Sequence, residues 1–321
     1  MNVKRKHALA LISGAAGIAL TPRIARAQAA QTVRIVIVSG ETSATVYYAK
    51  ELGLFAKAGI DPEITEVTNG AAAAAAIAGG SMDIGSSEPT ALVVAHDRGL
   101  PFSILAPAAL ARAGNQSNGF VVAGKTNGVK TGADLTGKIV GLNQLGGLPY
   151  LSVRAWIDKT GGDSGAVHFL ELPFSQMIEA IKNDRIVASE INAAFDPLIG
   201  KPDDPVRLIA SSYDYVSPRF TSSVWFSTND WIAKNPELTK RFMSAMRQAA
   251  VWANAHPHES AVMLAPHLKQ TVDQIEATTR VSYGLEMQLD YIQPVIDLAA
   301  KYGSIKTHFV ARDLINPIAL K

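Results

Sequence analysis

The sequence predicts an α/β fold built as two lobes with a ligand cleft between them. Short apolar, β-branched runs alternate with helical segments from residue 33 onward, the alternation that produces parallel sheets with right-handed crossovers. The pattern breaks at a polar, glycine-bearing stretch over residues 114–119 and restarts at residue 120. The chain has 321 residues, 48% of them hydrophobic, which is more than a typical single domain holds.

The first residues stand apart from both lobes. Lys4, Arg5 and Lys6, an apolar run over residues 8–20, and Ala25-Arg26-Ala27 are the three parts of a secretory signal peptide. Residues 1–27 are therefore expected to be removed, with cleavage after Ala27 or Ala29. The apolar run is shorter than the roughly 20 residues of a membrane span, and no later segment approaches that length. The leader holds five of the 30 Lys and Arg that stand against 28 Asp and Glu, so the mature chain turns slightly acidic. No basic patch suggests nucleic acid. The absence of cysteine excludes disulfides, thiolate metal sites, a cysteine nucleophile and a lipid-modified N-terminal cysteine. An exported protein with neither lipid nor membrane span is retained only by an outer membrane, which points to the periplasm.

Residues 33–38 read as a buried parallel strand bounded by Ser39-Gly40. Thr42 or Ser43 is placed to cap the next helix, whose apolar Val46, Tyr47, Leu52 and Phe55 keep helical spacing up to Gly59. Residues 64–67 form the second strand. Residues 69–96 then hold a complete α/β unit. An alanine run over 71–76 ends at Gly79-Gly80, and a strand over 82–85 follows. Ser86 and Ser87 take the N-cap of a helix with Glu88 and Pro89 in its first turn. A fourth strand is expected at 102–106.

The second α/β pattern has strands at 120–123 and 138–142, a loop through Asn143, Gln144 and Gly146, and a helix opened by Pro149. Strand 167–172, helix 175–183, strand 187–193 and strand 206–210 follow. Residues 222–227 read as the return crossing. From Asn235-Pro236-Glu237 onward the pattern is helical: Leu238, Phe242, Ala245, Ala249 and Trp252 recur every three or four positions, and Thr271 with Gln274 forms a capping box. The tail after Asn316-Pro317 is irregular. These breaks set one lobe at 30–118 with 222–321 and the other at 119–221. Glu88-Pro89 and Asp196-Pro197 each follow a helix, a turn and a strand, a faint internal repeat.

No G-x-S-x-G, H-E-x-x-H, phosphate-loop or EF-hand pattern occurs. His256, His258 and His267 lack a set of acidic or cysteine partners at ligand spacing, and Pro257 is suited to a helix start, so neither metal nor cofactor is expected. His96 reads as packed or at a rim, and Trp225, Trp231 and Trp252 as core. What remains are small polar and aromatic residues at the expected carboxyl ends of strands. They are Glu41, Thr42 and Ser43; Asn69; Ser86 and Ser87; Asn143, Gln144 and Gly146; Phe174; and Asn192, Phe195 and Asp196. About half are expected to serve only as caps and turns. A cleft of helix N-termini and neutral donors suits a small polar or anionic solute better than acid–base chemistry. Arg112 and Arg219, near the crossings, are candidates for a bidentate contact, and Glu41 and Glu88 leave room for an ammonium group.

YYAKELGLFAKAGID (residues 47–61), GGSMDIG (79–85) and DLTGKIVGLNQLGG (134–147), in that order behind a leader, resemble the solute-binding proteins of bacterial ABC importers. The branch includes binders of alkanesulfonates, taurine, nitrate and thiamine-pyrimidine precursors. The resemblance covers essentially the whole mature chain. It implies a type II periplasmic-binding fold, a monomer that closes over a small-molecule ligand and presents it to a membrane permease with its ATPase. It also implies binding residues at Thr42, Ser43, Asn69, Ser86, Ser87, Asn143, Gln144 and residues 192–196. Val187 and Asp196-Pro197 depart from the Asp and Glu-Pro common in the family. A small organic anion is the first expectation for the ligand and a neutral thiamine-pyrimidine precursor the second. Pyrimidine-synthesising enzymes of the same fold resemble a cysteine-rich motif that this chain cannot contain. A regulator's effector domain would need a DNA-binding helix-turn-helix where the leader stands.

Overall fold

The computed structural model describes residues 30–114, 117, 119–192 and 204–320. The leader, Phe195 and Asp196 lie outside the described residues. The chain forms β1 (Gln31–Val38), β2 (Ile60–Val67), β3 (Ile84–Ser87) and β4 (Phe102–Arg112), then β5 (Phe120–Gly124), β6 (Ile139–Leu142), β7 (His168–Glu171), β8 (Ala188–Ile191) and β9 (Val206–Ser211), and last β10 (Arg219–Thr228) and β11 (Ser282–Tyr283). They make two sheets, ordered β11-β4-β10-β3-β1-β2 and β7-β6-β8-β5-β9.

The two sheets share one plan. In the first, β2, β1 and β3 are parallel, and β10 enters antiparallel between β3 and β4. In the second, β7, β6 and β8 are parallel, and β5 enters antiparallel between β8 and β9. Each sheet thus receives one strand from the crossing that joins it to the other. Mixed sheets replace the parallel ones expected from the alternation, because each crossing adds an antiparallel strand: β10 from a distant part of the chain, and β5 from just before β6.

The helices are α1 (Thr45–Glu51), α2 (Leu54–Lys57), α3 (Gly70–Ala78), α4 (Pro89–Asp97), α5 (Leu148–Lys159), α6 (Phe174–Lys182), α7 (Asn229–Lys234), α8 (Pro236–Ala255), α9 (Pro257–Leu268), α10 (Val272–Glu276) and α11 (Leu289–Lys301). Both faces of each sheet are covered. On β1, Val33, Ile35 and Ile37 join a core with Phe242 and Ala249 of α8, while Val36 packs on the opposite side with Ala73, Leu92 and Ile296. This is the two-residue alternation of a buried strand. In the second sheet Val140 and Leu142 meet Val153, Trp156 and Ile157 of α5, and Val122 meets Met177 and Ile181 of α6. Helix α5 also packs Leu151 and Ala155 against Ile292 and Ile296 of α11.

Several local expectations are corrected by long-range pairing. Ser86 and Ser87 belong to β3 rather than to a helix cap, because β10 lies alongside and pairs Trp225 with Ser86 and Val224 with Ser87. The N-cap of α4 is Glu88, with Pro89 in the first helical position. Neither Thr42 nor Ser43 caps α1: residues Glu41–Ser43 form a 3-10 turn, and α1 starts after Ala44. The fourth strand runs 11 residues instead of five, since β10 pairs along its whole length. A short strand, β11, joins the edge of the first sheet where only helices were expected. The capping box of Thr271 and Gln274 is made in both directions, at 2.8 and 3.2 Å. Trp225 is fully buried, and His96 packs on the ring of Phe309 with centroids 4.3 Å apart.

Candidate functional site

A cleft of about 440 Å³ opens between the two sheets. The segments that line it leave the carboxyl ends of strands: Gly40, Glu41 and Thr42 after β1, Asn69 after β2 and Glu88 after β3. From the second sheet come Asn143 and Gln144 after β6, Phe174 after β7, and Glu190 and Asn192 at the end of β8. That is the side of an open α/β sheet on which ligands bind.

The sequence-predicted site residues separate into three groups. Glu41, Thr42, Asn69, Asn143, Gln144, Phe174 and Asn192 line the cleft. Ser43, Ser86 and Ser87 lie beneath that lining and are buried, with hydroxyls engaged internally. Ser43 Oγ is 2.8 Å from Ser86 Oγ, Ser86 Oγ is 3.3 Å from Ser223 Oγ, and Ser87 donates to the Glu88 carbonyl at 3.1 Å. Gly146 faces a second, apolar cavity of about 400 Å³ beside α3 and α4. Arg219 turns away from the cleft: it donates to the Tyr291 hydroxyl at 2.9 Å and sits over that ring. Arg112 is exposed at the end of β4. Asn69 also caps α3, accepting the Ala72 N–H at 3.0 Å.

Glu41 and Glu88 were singled out in the sequence; the residues missed there are Glu66 and Glu190 and their neighbours. Four glutamates line the cleft, Glu41, Glu66, Glu88 and Glu190, and Lys269 and His267 are the basic residues in its lining. Glu41 is held by Arg280, whose Nε lies 2.6 Å from Oε1, and burial pushes its carboxyl up against the pull of that guanidinium. Glu66 accepts from the Tyr47 hydroxyl, which lowers its pKa. The Tyr47 ring in turn stacks on His267.

Among the described residues, Glu88 and Glu190 have no such cation. Glu88 is half-buried; its carboxyl accepts the Leu148 N–H at 3.3 Å, and burial pushes its pKa up to about 7 against the opposing pull of Leu148 and Thr90. Glu190 is 2% exposed in the middle of a buried four-residue strand. Burial first, then the charge of Glu88, raises its carboxyl well above the usual range, with the Gly119 N–H opposing. Its Oε2 has no hydrogen-bond partner among the described residues, and neither has Asn143 Oδ1. Asn143 Oδ1 is an acceptor, and Glu190 Oε2 accepts when the carboxyl is ionised and can donate when it is protonated. The signal for Glu190 was present in the sequence, as a lone acid inside an apolar strand, since an unpaired glutamate is almost never fully buried without a reason.

The histidines noted in the sequence are separate from one another. His256 Nδ1 is 2.8 Å from the Trp252 carbonyl, His258 pairs with Glu276 at 2.7 Å, and His267 with Glu51 at 3.2 Å. No described helix is long and apolar enough to cross a membrane.

Two α/β sheets of one plan, joined by two crossings and lined with ligand-facing strand ends, define the periplasmic-binding-protein fold. More particularly, the chain belongs to the NMT1/THI5-like family, whose model matches residues 41–260. Curated relatives include a binding protein of Brucella abortus (strain 2308), 25% identical over 281 residues, 83% of each chain. The formylaminopyrimidine-binding protein of Halalkalibacterium halodurans is 23% identical over 223 residues, 68% of this chain and 64% of that one. Among solved structures, the periplasmic aliphatic sulphonate binding protein SsuA of Escherichia coli aligns with a TM-score of 0.72 at 16% identity, over 89% of this chain and 97% of its own. The ligand-binding component of an ABC-type import system from Staphylococcus aureus aligns with a TM-score of 0.73 at 16% identity, over 89% and 97%. The relatives are named as binding proteins rather than enzymes.

Proposed function

We propose that this chain is the periplasmic substrate-binding component of an ABC importer, which captures a small organic solute between lobes 30–118 with 222–321 and 119–221 and delivers it to the permease and its ATPase. The observation that carries the reading is the cleft of about 440 Å³, lined by strand ends from both sheets. Its size suits a small molecule. The two crossings supply the hinge such closure needs.

Of the two solute classes the sequence suggested, the lining favours the thiamine-pyrimidine type over a sulfonate or carboxylate. Among the described residues no arginine lines the cleft to receive an anion, and the N-terminus of α5, where an anion would sit, already receives Glu88. The orphan oxygens of Asn143 and Glu190 call for a ligand that forms hydrogen bonds, and Asn143 Oδ1 needs one that donates. The formylaminopyrimidine-binding relative supports the same choice.

Calorimetry across formylaminopyrimidine, taurine, ethanesulfonate and nitrate, with native mass spectrometry of the protein as purified, tests the reading. A bound solute at a hundred times its Kd adds about 2.7 kcal/mol, a melting shift of about 5 to 10 °C, and scattering should report compaction. A tight solute that leaves the radius of gyration unchanged overturns closure, and tight ethanesulfonate with no aminopyrimidine binding overturns the choice of solute. N-terminal sequencing of periplasmic protein that begins at Met1 overturns export.

A further inference from the structure

We propose that the groove between α3 and α4 is a second binding site, which takes an unbranched medium-chain carboxylate with a neutral hydroxyl at its far end. Among the described residues only Gln144 is common to the linings of this groove and of the cleft between the sheets. The inference does not rest on the importer reading.

One wall of the groove is made of methyl groups. Ala71, Ala74, Ala75 and Ala78 recur at helical spacing along α3, and side chains that stop at Cβ leave the cavity of about 400 Å³ beside α4. The facing wall carries Thr90 and Val94 of α4 and Arg98 at its C-cap, four residues apart and so on one face. Eight residues of helix set Thr90 and Arg98 about 12 Å apart along the axis. Leu100 and Leu145 also line the groove and are 41% and 46% exposed. Large apolar side chains left in solvent beside one groove mark a binding surface.

Two hydroxyls in the lining are an independent sign of a ligand. Thr90 is 1% exposed, and its Oγ1 is near enough to Glu88 to lower that carboxyl's pKa, yet it completes no hydrogen bond among the described residues. Ser304 Oγ, from the segment after α11, is also buried without a partner among them, and lies 3.9 Å from where a Cβ on Gly146 would stand. A buried hydroxyl left unpaired costs stability that a bound polar group restores. Arg98 is exposed and makes no ion pair among the described residues, because its neighbour Asp97 accepts the Lys306 and Thr307 N–H groups at 3.1 and 3.0 Å. Those two bonds draw the segment of Ser304 towards Arg98, so a guanidinium and a hydroxyl share one end of the groove and Thr90 holds the other. The first end suits a carboxylate. Thr90 suits a hydroxyl, which can donate or accept, and Glu88 beside it disfavours a second negative charge. The methyl wall between them accepts an unbranched chain.

Calorimetry of the full-length chain with ω-hydroxyoctanoate, octanoate and octanedioate tests the site. The hydroxy acid should bind one molecule per chain, about fivefold more tightly than either of the others. Arg98→Ala should weaken all three about tenfold. Thr90→Val keeps the shape and removes the hydroxyl, so it should leave octanoate unchanged and erase the preference for the hydroxy acid. Ala75→Trp, at an exposed position of α3, should fill the groove and abolish binding. Thermal unfolding checks that each variant folds, and Arg98→Ala, at the surface, carries the test should another fail. Equal affinity for octanoate and the hydroxy acid overturns the assignment of Thr90 and with it the proposed ligand. Binding that survives both Arg98→Ala and Ala75→Trp places the probe in the cleft and overturns the site. Absence of binding at millimolar concentration overturns it too, and leaves the importer reading standing.

Discussion

Glu88 Oε2 accepts the backbone N–H of Leu148 at 3.3 Å, so a carboxyl from the first sheet occupies the N-terminus of α5 beside the second. The bond ties the two halves of the cleft together through the chain's own anion. It also makes the stability of the ligand-free protein depend on pH. Burial lifts the folded pKa of Glu88 to about 7, above the roughly 4.3 of an unfolded glutamate. The folded state then binds more protons than the unfolded one between those values. Stability is therefore full below about pH 4 and falls as pH rises to about 7, by up to about 3 kcal/mol. Glu88→Gln should flatten that fall in urea titrations at pH 5, 6, 7 and 8; an unchanged slope would assign it to another group.

Arg280 and Glu41 should behave as one unit. Their side chains are 17% and 12% exposed, and Arg280 also donates to the Pro257 carbonyl and the Ser260 hydroxyl at 2.8 and 3.1 Å. Arg280→Ala strands a buried carboxyl and should cost about 3 to 5 kcal/mol, while Glu41→Gln costs less. A double-mutant cycle should give a coupling above about 1 kcal/mol. Additive losses would show that the contact is not energetic.

Asp83 secures the start of β3 to β1. It accepts the Arg34 backbone N–H at 2.9 Å and the guanidinium at 3.1 and 2.6 Å. Burial alone would raise its pKa, but the Arg34 hydrogen bonds and charge outweigh that and lower it. The stabilisation is present above about pH 4 and is lost as pH falls through the depressed folded value. Because the Arg34 side chain is 42% exposed, about 1 kcal/mol is expected. Asp83→Asn should lose it at pH 7 and change little at pH 2 to 3, which acid titration of both proteins will check.

Asn69 separates capping from ligand contact. Asn69→Ala removes the cap of α3 and should cost about 1 kcal/mol, whereas Asn69→Asp keeps the acceptor and should cost little. Equal losses in thermal unfolding would mean that the amide N–H₂, and not the cap, matters to the fold.

Gly119 is the tightest point of the first crossing. Its φ is +81°, and a Cβ there would lie 2.3 Å from Cδ1 of Tyr213. Gly119→Ala should destabilise by about 2 to 4 kcal/mol, from left-handed strain plus overpacking. It should also shift the Glu190 titration, since the Gly119 N–H bonds that carboxyl. A variant as stable as the parent would argue against the close packing of this crossing on Tyr213.

Local signals were read well from sequence and distant partners were not. The apolar run of β1, the alanine helix α3, Pro149 in the first turn of α5 and the Thr271–Gln274 box depend on neighbours within a few residues, and they stand where their chemistry put them. Ser86 and Ser87 resembled a cap because nothing near them reveals β10, whose pairing extends β3 by those two residues. The same blindness affected the site. Strand ends placed Glu41, Asn69, Asn143 and Phe174 at the cleft, since that follows from sheet topology. Arg219 was assigned by its nearness to the crossing, but its direction is set by Tyr291, 72 residues later. Glu88 was singled out only as a first-turn acid that could face an ammonium group, and its bond to the Leu148 N–H shows only with the second sheet in place.

The insertion of β10 between β3 and β4 also sets an order of assembly. Ser86 meets Ser223 across 137 residues of chain. The second sheet, by contrast, draws all five strands from the contiguous stretch β5 to β9. As the chain emerges from the ribosome, the second sheet can close on its own residues while the first still has a gap in its middle. Pairings of such long sequence separation form slowly. The first half therefore waits, unfinished, for a strand made after the second half is complete, so its assembly is the later event in the folding of the whole chain.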